Sequence, residues 1–243
     1  AYAQPILEFQ DLARDDILRI SYLGQVDFMG GYTQWGYENF LSALLLYPDY
    51  AERYFAFSAA QARLLNLAIV EAVHKHGLAP FVYGGQDICF NGGPLCSPDW
   101  LAQHYFPHFH SALEPLHDAG IQIIWHCDGD IRPILPSLLD MGVAGFQGFQ
   151  EETGLTLKHM ASLRTKWGKK PILWGSVSVT TTLPFGTPDE VTRDVERCFR
   201  EASAGGGFVL AHSSSVCPEV PLGNLLAFYH AARTAGPLLG APR

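Results

Sequence analysis

The stretch Ile121-Gln-Ile-Ile-Trp-His-Cys-Asp-Gly-Asp130 decides the fold, because in it an apolar run gives way to ionisable residues. Its composition predicts a buried strand that ends near His126. Side chains alternate between the two faces of a strand, so His126 and Asp128 are predicted to face one side and Cys127 the other. Gly129 permits a sharp turn after the strand. The strand therefore delivers a histidine and a carboxylate at its carboxyl end.

Units of the same kind recur along the chain, because apolar strands that end in polar residues alternate with segments of helical periodicity. Helices are predicted over residues 6–20, 37–46, 50–76, 97–118, 134–141, 157–167, 187–202 and 222–234. Strands are predicted over residues 26–31, 80–87, 143–149, 171–177 and 208–213, besides the one that begins at residue 121. Thr187 and Glu190 have the spacing of a capping box, which indicates a helix start.

Helices that alternate with apolar strands predict an α/β fold with a parallel sheet. The six polar strand ends are Gly30-Gly31, Gln86-Asp87, His126-Asp128, Gln150-Glu151, Ser176-Ser178 and His212-Ser214. No glycine fingerprint of an open dinucleotide-binding sheet follows the first strand, so a (β/α)8 TIM-barrel type is favoured.

Six units fall short of the eight that close such a barrel. Since no linker divides the chain, residues 1–243 are predicted to form one barrel domain that lacks its first one or two βα units. Apolar side chains are then expected to be exposed beside the strand at Val26. Unpaired strand edges further predict a chain that is poorly stable or associates.

Composition narrows the range of partners and compartments. The 16 basic and 24 acidic residues give a net charge of −8, and the basic residues are scattered, which argues against a nucleic-acid or anionic-membrane partner. The apolar runs are shorter than the roughly 20 residues of a transmembrane helix, and the N-terminus lacks the pattern of a secretory signal. Five cysteines without a CxxC pair suit reduced thiols, so a cytoplasmic protein is expected.

Several motifs, in order along nearly the whole chain, resemble the uroporphyrinogen decarboxylase superfamily. They are Tyr83-Gly-Gly-Gln-Asp-Ile88 with Gly93-Pro-Leu-Cys-Ser-Pro98, His126-Cys-Asp-Gly129, Leu173-Trp-Gly-Ser-Val-Ser-Val179, Phe185-Gly-Thr-Pro-Asp-Glu-Val191, and Gly206-Gly-Phe-Val-Leu210 with Pro218-Glu-Val-Pro-Leu-Gly-Asn224. No single motif is specific, but their order and spacing agree. The resemblance implies a TIM barrel with its site at the C-terminal mouth.

The same resemblance implies that about two N-terminal βα units and a basic substrate loop of the family lie outside this sequence. The aspartate that serves the decarboxylases as main catalytic group belongs to that part. One departure lies within the chain, since Ser178 stands where the superfamily often has an aspartate.

The methyltransferases of the superfamily bind zinc through a His-x-Cys on the central strand and a later cysteine. Here the first motif reads His126-Cys-Asp128, and the later position falls near Ser214, three residues before Cys217. Cys127 is one residue off and is predicted to point towards the helices. A metal would therefore need a rearranged ligand set, for which the candidates are His126, Asp128, His212 and Cys217.

The candidate site residues are those that end the predicted strands. We predict His126, Asp128 and His212 as catalytic residues, and Gln86, Asp87, Arg132, Glu151, Ser178 and Ser214 as substrate-binding residues. Arg132 is included because arginine is a natural clamp for carboxylates, although a surface helix position is an equal alternative. Asp87 could equally cap a turn. His126 and Asp128 are expected to face the barrel axis near His212.

Three functions are compatible with these observations. The first is a decarboxylase-like enzyme that acts on a tetrapyrrole or similar polyacid without a cofactor. The second is a methyltransferase that uses zinc and a corrinoid protein or a thiol acceptor. The third is a barrel that binds a tetrapyrrole without catalysis. A small-molecule substrate is expected under each function, and a homodimer is left open.

Overall fold

The computed structural model describes residues 2–14 and 17–238. Its α-helices are α1 Gln4–Ala13, α2 Met29–Trp35, α3 Tyr37–Leu46, α4 Pro48–His76, α5 Pro98–His104, α6 Phe106–Asp118, α7 Leu135–Met141, α8 Leu157–Ser162, α9 Thr182–Phe185, α10 Pro188–Ala202 and α11 Leu222–Leu238. Its strands are β1 Ser21–Tyr22, β2 Phe81–Gly85, β3 Cys89–Phe90, β4 Gly93–Pro94, β5 Gln122–His126, β6 Gly145–Gln147, β7 Ile172–Trp174 and β8 Phe208–Val209.

Six of the strands form one parallel sheet in the order β1-β2-β5-β6-β7-β8. This agrees with the α/β fold and the six parallel units expected from the sequence. Strands β3 and β4 form a separate antiparallel hairpin that was not predicted. Among the described residues, β1 and β8 are the edge strands, and each pairs on one side only.

The two faces of the sheet differ in burial, as alternation requires. One face packs against the helices through Val82, Ile123, Trp125, Phe146 and Leu173, all of which are buried. We call the opposite face the inner face. Its central row crosses the sheet at one level and consists of Gly85, His126, Gln147, Trp174 and Val209. The row places His126 in the middle of the sheet, at the carboxyl end of β5.

The first strand lies earlier than expected. Residues 26–31 do not form a strand, and β1 is Ser21–Tyr22. Val26 itself is fully buried, and the exposed apolar side chains expected beside the first strand lie around β1 instead. The backbone N–H of Phe28 donates to the side chain of Gln86 instead of to a neighbouring strand. The apolar character of this stretch therefore reflects burial in the core, without strand pairing.

Apolar surface is nevertheless exposed around the edge strands. Ile17 and Leu18 precede β1, Tyr22 lies in β1 and Val209 lies in β8, and all four are exposed. Leu18 and Val209 help to line a cavity of about 450 Å³ on the inner face. Exposed apolar surface of this kind is the feature from which association was predicted.

Three predicted helices depart most from the observed bounds. The predicted helix over residues 97–118 is divided into α5 and α6, because Pro107 cannot donate the N–H that would continue the helix. The helix predicted over residues 6–20 ends at Ala13, and residues 15 and 16 lie outside the described residues. The predicted helix over residues 157–167 ends at Ser162.

Helix α4 is the longest, with 29 residues. By length and composition it could cross a membrane, contrary to the expectation from the apolar runs, although core helices pass the same test. Its buried Asn66 joins it to the fold, since the side chain bonds to the backbone of Gly24 and to the carbonyl of Ala112 in α6. α4 is thus held along one face against α6 and against the segment that follows β1.

Candidate active site

Three side chains meet at the carboxyl ends of β2 and β5. Asp87 follows β2, His126 ends β5 and Asp128 lies two residues beyond it. One potential ligand atom from each residue lies within 4.8 Å of the others. We call this group the acidic triad. His126 and Asp128 were predicted to share a face, and Asp87 was predicted as a substrate contact rather than a member of the catalytic group.

The ring of His126 has a defined orientation. Its Nδ1 lies 3.2 Å from the carbonyl oxygen of Gln147, which can only accept a hydrogen bond, so Nδ1 carries a proton. The other nitrogen, Nε2, lies 3.6 Å from Oδ1 of Asp87 and 3.9 Å from Oδ1 of Asp128. In the neutral imidazole, the lone pair of Nε2 therefore faces two carboxylate oxygens.

Two glycines make room for this histidine. A Cβ on Gly85 would lie 1.9 Å from the carbonyl oxygen of His126, so β2 can approach β5 here only through a glycine. A Cβ on Gly148 would lie 2.5 Å from Nδ1 of His126 and 2.6 Å from the carbonyl oxygen of Ser213. The imidazole therefore occupies the space that a side chain at position 148 would need.

Each carboxylate of the acidic triad is oriented by a hydrogen bond. The backbone N–H of Asp128 donates to Oδ1 of Asp87 at 3.0 Å. The hydroxyl of Ser214, which follows β8, donates to Oδ2 of Asp128 at 3.0 Å. Ser214 was predicted as a substrate contact, and the structure gives its hydroxyl to Asp128. Residues at the carboxyl ends of β2, β5, β6 and β8 thus converge on the triad.

The environment of Asp128 disfavours its ionised form. Burial raises the pKa of this carboxyl above its ordinary value, and repulsion from Asp87 adds to the effect. The attraction of His126 and the hydrogen bond from Ser214 oppose the rise without cancelling it. A proton or a cation between these groups would relieve the repulsion.

The acidic triad is chemically suited to a divalent cation. Imidazole and carboxylate ligands fit Zn²⁺ and other first-row divalent ions, and catalytic zinc sites typically use three protein ligands and leave one position open. The carbonyl of Gln147 supplies the second hydrogen bond that a metal-ligating histidine usually makes. The ligand set expected from the sequence was His126, Asp128, His212 and Cys217. In the part of the chain that the structure describes, the group that comes together contains Asp87 in place of His212 and Cys217.

His212 and Cys217 lie outside the triad. Nδ1 of His212 is hydrogen-bonded to the carbonyl oxygen of Ser214, and its ring packs 6.3 Å from that of Phe228. His212 therefore reaches Asp128 only through Ser214, which is two residues away. Cys217 is exposed. Cys127 is buried on the helix side of β5, as its position in the strand predicted.

Aromatic side chains border the triad on the inner face. Tyr83 lies on β2, two residues before Gly85, and its ring centroid is 6.3 Å from that of His126 and 5.2 Å from that of Trp174. The Tyr83 hydroxyl donates to the side chain of Gln147 at 2.9 Å, and burial raises its pKa to about 12. Tyr83 was not among the predicted site residues, although alternation along β2 places it on the face of Gly85.

Two of the remaining candidates stabilise neighbouring loops. Gln86 is buried, and its side-chain oxygen accepts hydrogen bonds from the backbone N–H groups of Phe28 and Met29. Arg132 forms a two-point ion pair with Asp130, with both N–O distances at 2.8 Å. The two side chains are therefore engaged within the protein rather than directed to the triad.

Ser178 belongs to a cluster of hydroxyl groups around Glu152, to which it donates together with Thr180 and Thr181. Burial alone would raise the pKa of Glu152, but the hydrogen bonds outweigh it and hold the pKa below its ordinary value. Ser178 therefore fixes the turn before α9.

Glu151 is bound by Arg197 of α10 at 2.9 Å and by the hydroxyl of Ser176. Its second oxygen accepts the backbone N–H of Leu157 at 2.7 Å, at the start of α8. These contacts connect the loop after β6 to two helices, so Glu151 also has a structural role.

Comparisons with known proteins agree with the fold and with the resemblance in sequence. The structure matches that of a methyltransferase from Methanosarcina mazei with a TM-score of 0.65 and 19% sequence identity, over 94% of this chain and 62% of the other. The chain thus spans less than two thirds of that protein. No curated protein matches the sequence. The family model for uroporphyrinogen decarboxylase (URO-D) matches residues 27–235. With a match over most of its length, the chain belongs to the uroporphyrinogen decarboxylase family, whose fold is the TIM barrel.

Proposed function

We propose that this protein is a metal-dependent methyltransferase of the family, with a divalent cation held by Asp87, His126 and Asp128. The observation that carries the proposal is the orientation of His126, whose Nε2 faces the two carboxylates at 3.6 and 3.9 Å. A lone pair that faces two negative oxygens is unfavourable unless a positive charge lies between them. The acidic triad supplies three ligands and two negative charges, which would neutralise a divalent ion.

The charges around the triad favour this reaction over decarboxylation of a polyacid. A substrate with several carboxylates would meet Asp87 and Asp128, and it would need cations to offset their repulsion. Arg132 is paired with Asp130, and Arg197 with Glu151, Asp194 and Glu201. Among the described residues, neither of these two arginines is available to such a substrate.

A bound cation would lower the pKa of a coordinated thiol or water and so supply a nucleophile near neutral pH. The residues of the chain have complementary tasks. Ser214 and the N–H of Asp128 keep the carboxylates directed at a common point, and the carbonyl of Gln147 fixes the tautomer of His126. Tyr83 and Trp174 form an apolar wall beside the triad, which would exclude water from one side of the acceptor.

The experiment is a methyl-transfer assay with the chain as it stands. The protein is stripped with a chelator, reloaded with Zn²⁺ and supplied with methylcobalamin and a small thiol. We expect methyl transfer to the thiol that is lost on chelation and restored by the metal. His126→Ala and Asp87→Asn should abolish both transfer and metal content, whereas Asp130→Asn, a carboxylate paired with Arg132, should keep both. Turnover that does not depend on metal would contradict the proposal.

A second candidate is a metal-free decarboxylase-like enzyme. The raised pKa of Asp128 beside His126 favours it, since a proton shared by such a pair can be transferred near neutral pH. This candidate predicts that the wild-type protein contains no metal and decarboxylates a tetrapyrrole polyacid. His126→Ala should lose that decarboxylation.

A further inference from the structure

The segment that leads from α8 to β7 holds the densest group of cations in the chain. Five of the 16 basic residues lie between residues 158 and 170, and no acidic residue occurs between Glu152 and Asp189. We call residues 158–170 the basic segment, and it is the exception to the scattered distribution of the other basic residues. Its cations are Lys158, Arg164, Lys166, Lys169 and Lys170.

These five cations are not neutralised by nearby carboxylates. All of them are exposed, and none forms an ion pair with a carboxylate among the described residues. Arg164 and Lys170 donate to backbone carbonyls. The side chains of Lys166 and Lys169 have no hydrogen-bond partner in the part of the chain that the structure describes. These two lysines are therefore free to bind an anion.

The turn that carries the two lysines has a defined shape. The carbonyl oxygen of Lys169 accepts the backbone N–H of Thr165 at 2.9 Å and its hydroxyl at 3.3 Å. The backbone N–H of Gly168 donates to the carbonyl of Thr165 at 2.8 Å. Thr165 is buried, so the turn is anchored at its base, and Lys166 and Trp167 lie at its tip.

Trp167 is a large aromatic side chain that this turn holds partly in solvent. It is 47% exposed. Nζ of Lys166 lies 4.9 Å from the centroid of the indole ring, and the ring of His117 lies 6.0 Å from it at an angle of 72°. An exposed aromatic ring can stack on a planar ligand, and ammonium groups beside it can bind an anionic group that the ligand carries.

A cavity of about 380 Å³ lies beside Trp167. The residues that line it are His117, Gly120, Ile121, Gln122, Trp167 and Lys169. Its volume falls within the range of about 300 to 1,000 Å³ that is usual for small-molecule sites. The cavity lies at the amino end of β5, and the acidic triad lies at the carboxyl end, about 17 Å away at 3.3 Å per residue. The two sites are therefore separate.

His117 is exposed to the positive charge at this cavity. A Cβ on Gly142 would lie 2.7 Å from both Nε2 of His117 and Nζ of Lys166, so the two side chains share the space above this glycine. Burial lowers the pKa of His117, and repulsion from Lys166 lowers it further. The hydrogen bond to the carbonyl of Gly142 and the charge of Asp118 oppose this fall without cancelling it. A bound anion would relieve the repulsion.

The charge of the whole chain favours a small anion over a large one. The net charge is −8, so a nucleic acid or an anionic membrane would be repelled by the surface beyond the basic segment. A small molecule inside the cavity would meet only the local cations. Lysine is a common ligand of phosphate groups, and a planar base adds stacking energy on an aromatic side chain.

We propose that the cavity beside Trp167 binds a nucleotide, with the base stacked on Trp167 and the phosphates bound by Lys166 and Lys169. This site is independent of the proposed methyl transfer, because it lies at the opposite end of β5 from the acidic triad. The basic segment would therefore give the protein a second ligand, which binds without contact with the metal centre.

The test is isothermal titration of ADP into the whole chain in a chelating buffer, which keeps metal away from the acidic triad. We expect one equivalent of ADP to bind. Adenosine and pyrophosphate should each bind more weakly than ADP, because each makes only part of the contacts. Trp167→Ala should weaken ADP binding by about 5- to 150-fold, the usual contribution of one stacked base. Circular dichroism and a thermal melt show that each variant is folded.

A charge variant tests the phosphate contacts. Lys169→Gln should weaken the binding of ADP and pyrophosphate and leave that of adenosine unchanged. Lys158→Gln removes the same charge from a residue of the basic segment that lines a different cavity, so this matched control should bind ADP like the wild type.

Three results would overturn the proposal of a nucleotide site. The first is a folded wild-type chain that does not bind ADP, or that binds it no more tightly than pyrophosphate. The second is ADP binding that Trp167→Ala leaves unchanged, or that Lys158→Gln weakens as much as Lys169→Gln. The third is a single-stranded oligonucleotide that binds more tightly than ADP, which would favour a nucleic-acid surface instead.

Discussion

His126 is held more tightly than the two carboxylates that face it. Its Nδ1 is fixed by the carbonyl of Gln147, and the backbone of Gly148 closes the space beside the ring. The carboxylates of Asp87 and Asp128 are each oriented by one hydrogen bond and remain partly exposed. The imidazole therefore sets the position of the centre, and the carboxylates complete it.

We expect Gly148→Ala to displace the ring of His126, because the new Cβ would overlap Nδ1. Loss of an orienting contact of this kind typically lowers metal affinity by about 10- to 100-fold. The positive φ of 76° adds backbone strain of about 1 kcal/mol or more. Gly168→Ala separates the two effects, since its φ is 73° and nothing lies within 4 Å of its Cβ. Calorimetry should show that Gly168→Ala binds metal with the affinity of the wild type and that Gly148→Ala binds it more weakly. Equal losses of affinity in both variants would contradict the account.

We expect Asp128→Asn to stabilise the metal-free protein at neutral pH. The folded state raises the pKa of this carboxyl through burial, so its ionised form costs stability above the folded pKa. The amide removes that cost and can still accept the hydrogen bond from Ser214. The advantage should disappear as the pH falls from the folded pKa to the lower unfolded pKa.

The measurement is urea unfolding of both proteins in a chelating buffer at several pH values. A variant less stable than the wild type at neutral pH would contradict the inferred cost of burying the ionised carboxylate of Asp128. With metal present the order should reverse, because the wild type gains more from the ligand.

At the level of elements, helix α10 fixes the loop that borders the triad. Arg197 of α10 holds Glu151, and Glu151 in turn accepts the first N–H of α8. The helix begins with a complete capping box, in which Thr187 and Glu190 satisfy each other's backbone N–H groups. Helix α10 is therefore capped at its start by Thr187 and Glu190, and it supports the neighbouring loop through Arg197.

We expect Thr187→Ala to lower the free energy of unfolding by about 1 kcal/mol, the usual effect of a lost N-cap. Thr187→Ser keeps the hydroxyl and should lie close to the wild type. Chemical denaturation of the three proteins makes the comparison. Equal stability of Thr187→Ala and the wild type would show that the cap contributes nothing.

Local signals predicted α10 well and β1 poorly, for physical reasons. Thr187 and Glu190 act within one turn, so the sequence alone predicts the helix start, and the predicted end at Ala202 is confirmed. Val26 and Phe28 resemble a strand because they are buried, yet the N–H of Phe28 bonds to Gln86, 58 residues away. An apolar stretch of sequence indicates that its residues are buried. Whether it pairs as a strand depends on hydrogen-bond partners that are distant in the sequence.

The same distinction applies to the site. Alternation along β5 placed His126 and Asp128 on one face, which needs only local geometry. The approach of Asp87 depends on the register of β2 against β5, and the hydrogen bond from Ser214 depends on the path of the chain after β8. His212 resembled a site residue by its strand-end position, but the turn after it brings Ser214 to Asp128.

At the level of the whole molecule, the triad is assembled by the sheet and not by any one motif. Asp87 and Asp128 are 41 residues apart in sequence, and Ser214 is a further 86 residues away. Disturbing the sheet anywhere between β2 and β8 is therefore expected to change the centre.

The central claim is that Asp87, His126 and Asp128 bind one divalent cation, and isothermal titration of Zn²⁺ into the chelator-stripped chain tests it most directly. The account predicts one equivalent, a loss of at least about tenfold in affinity for Asp87→Asn and for His126→Ala, and no change for Cys217→Ser. Binding that survives Asp87→Asn but is lost in Cys217→Ser would contradict it, as would the absence of binding by the folded wild-type chain.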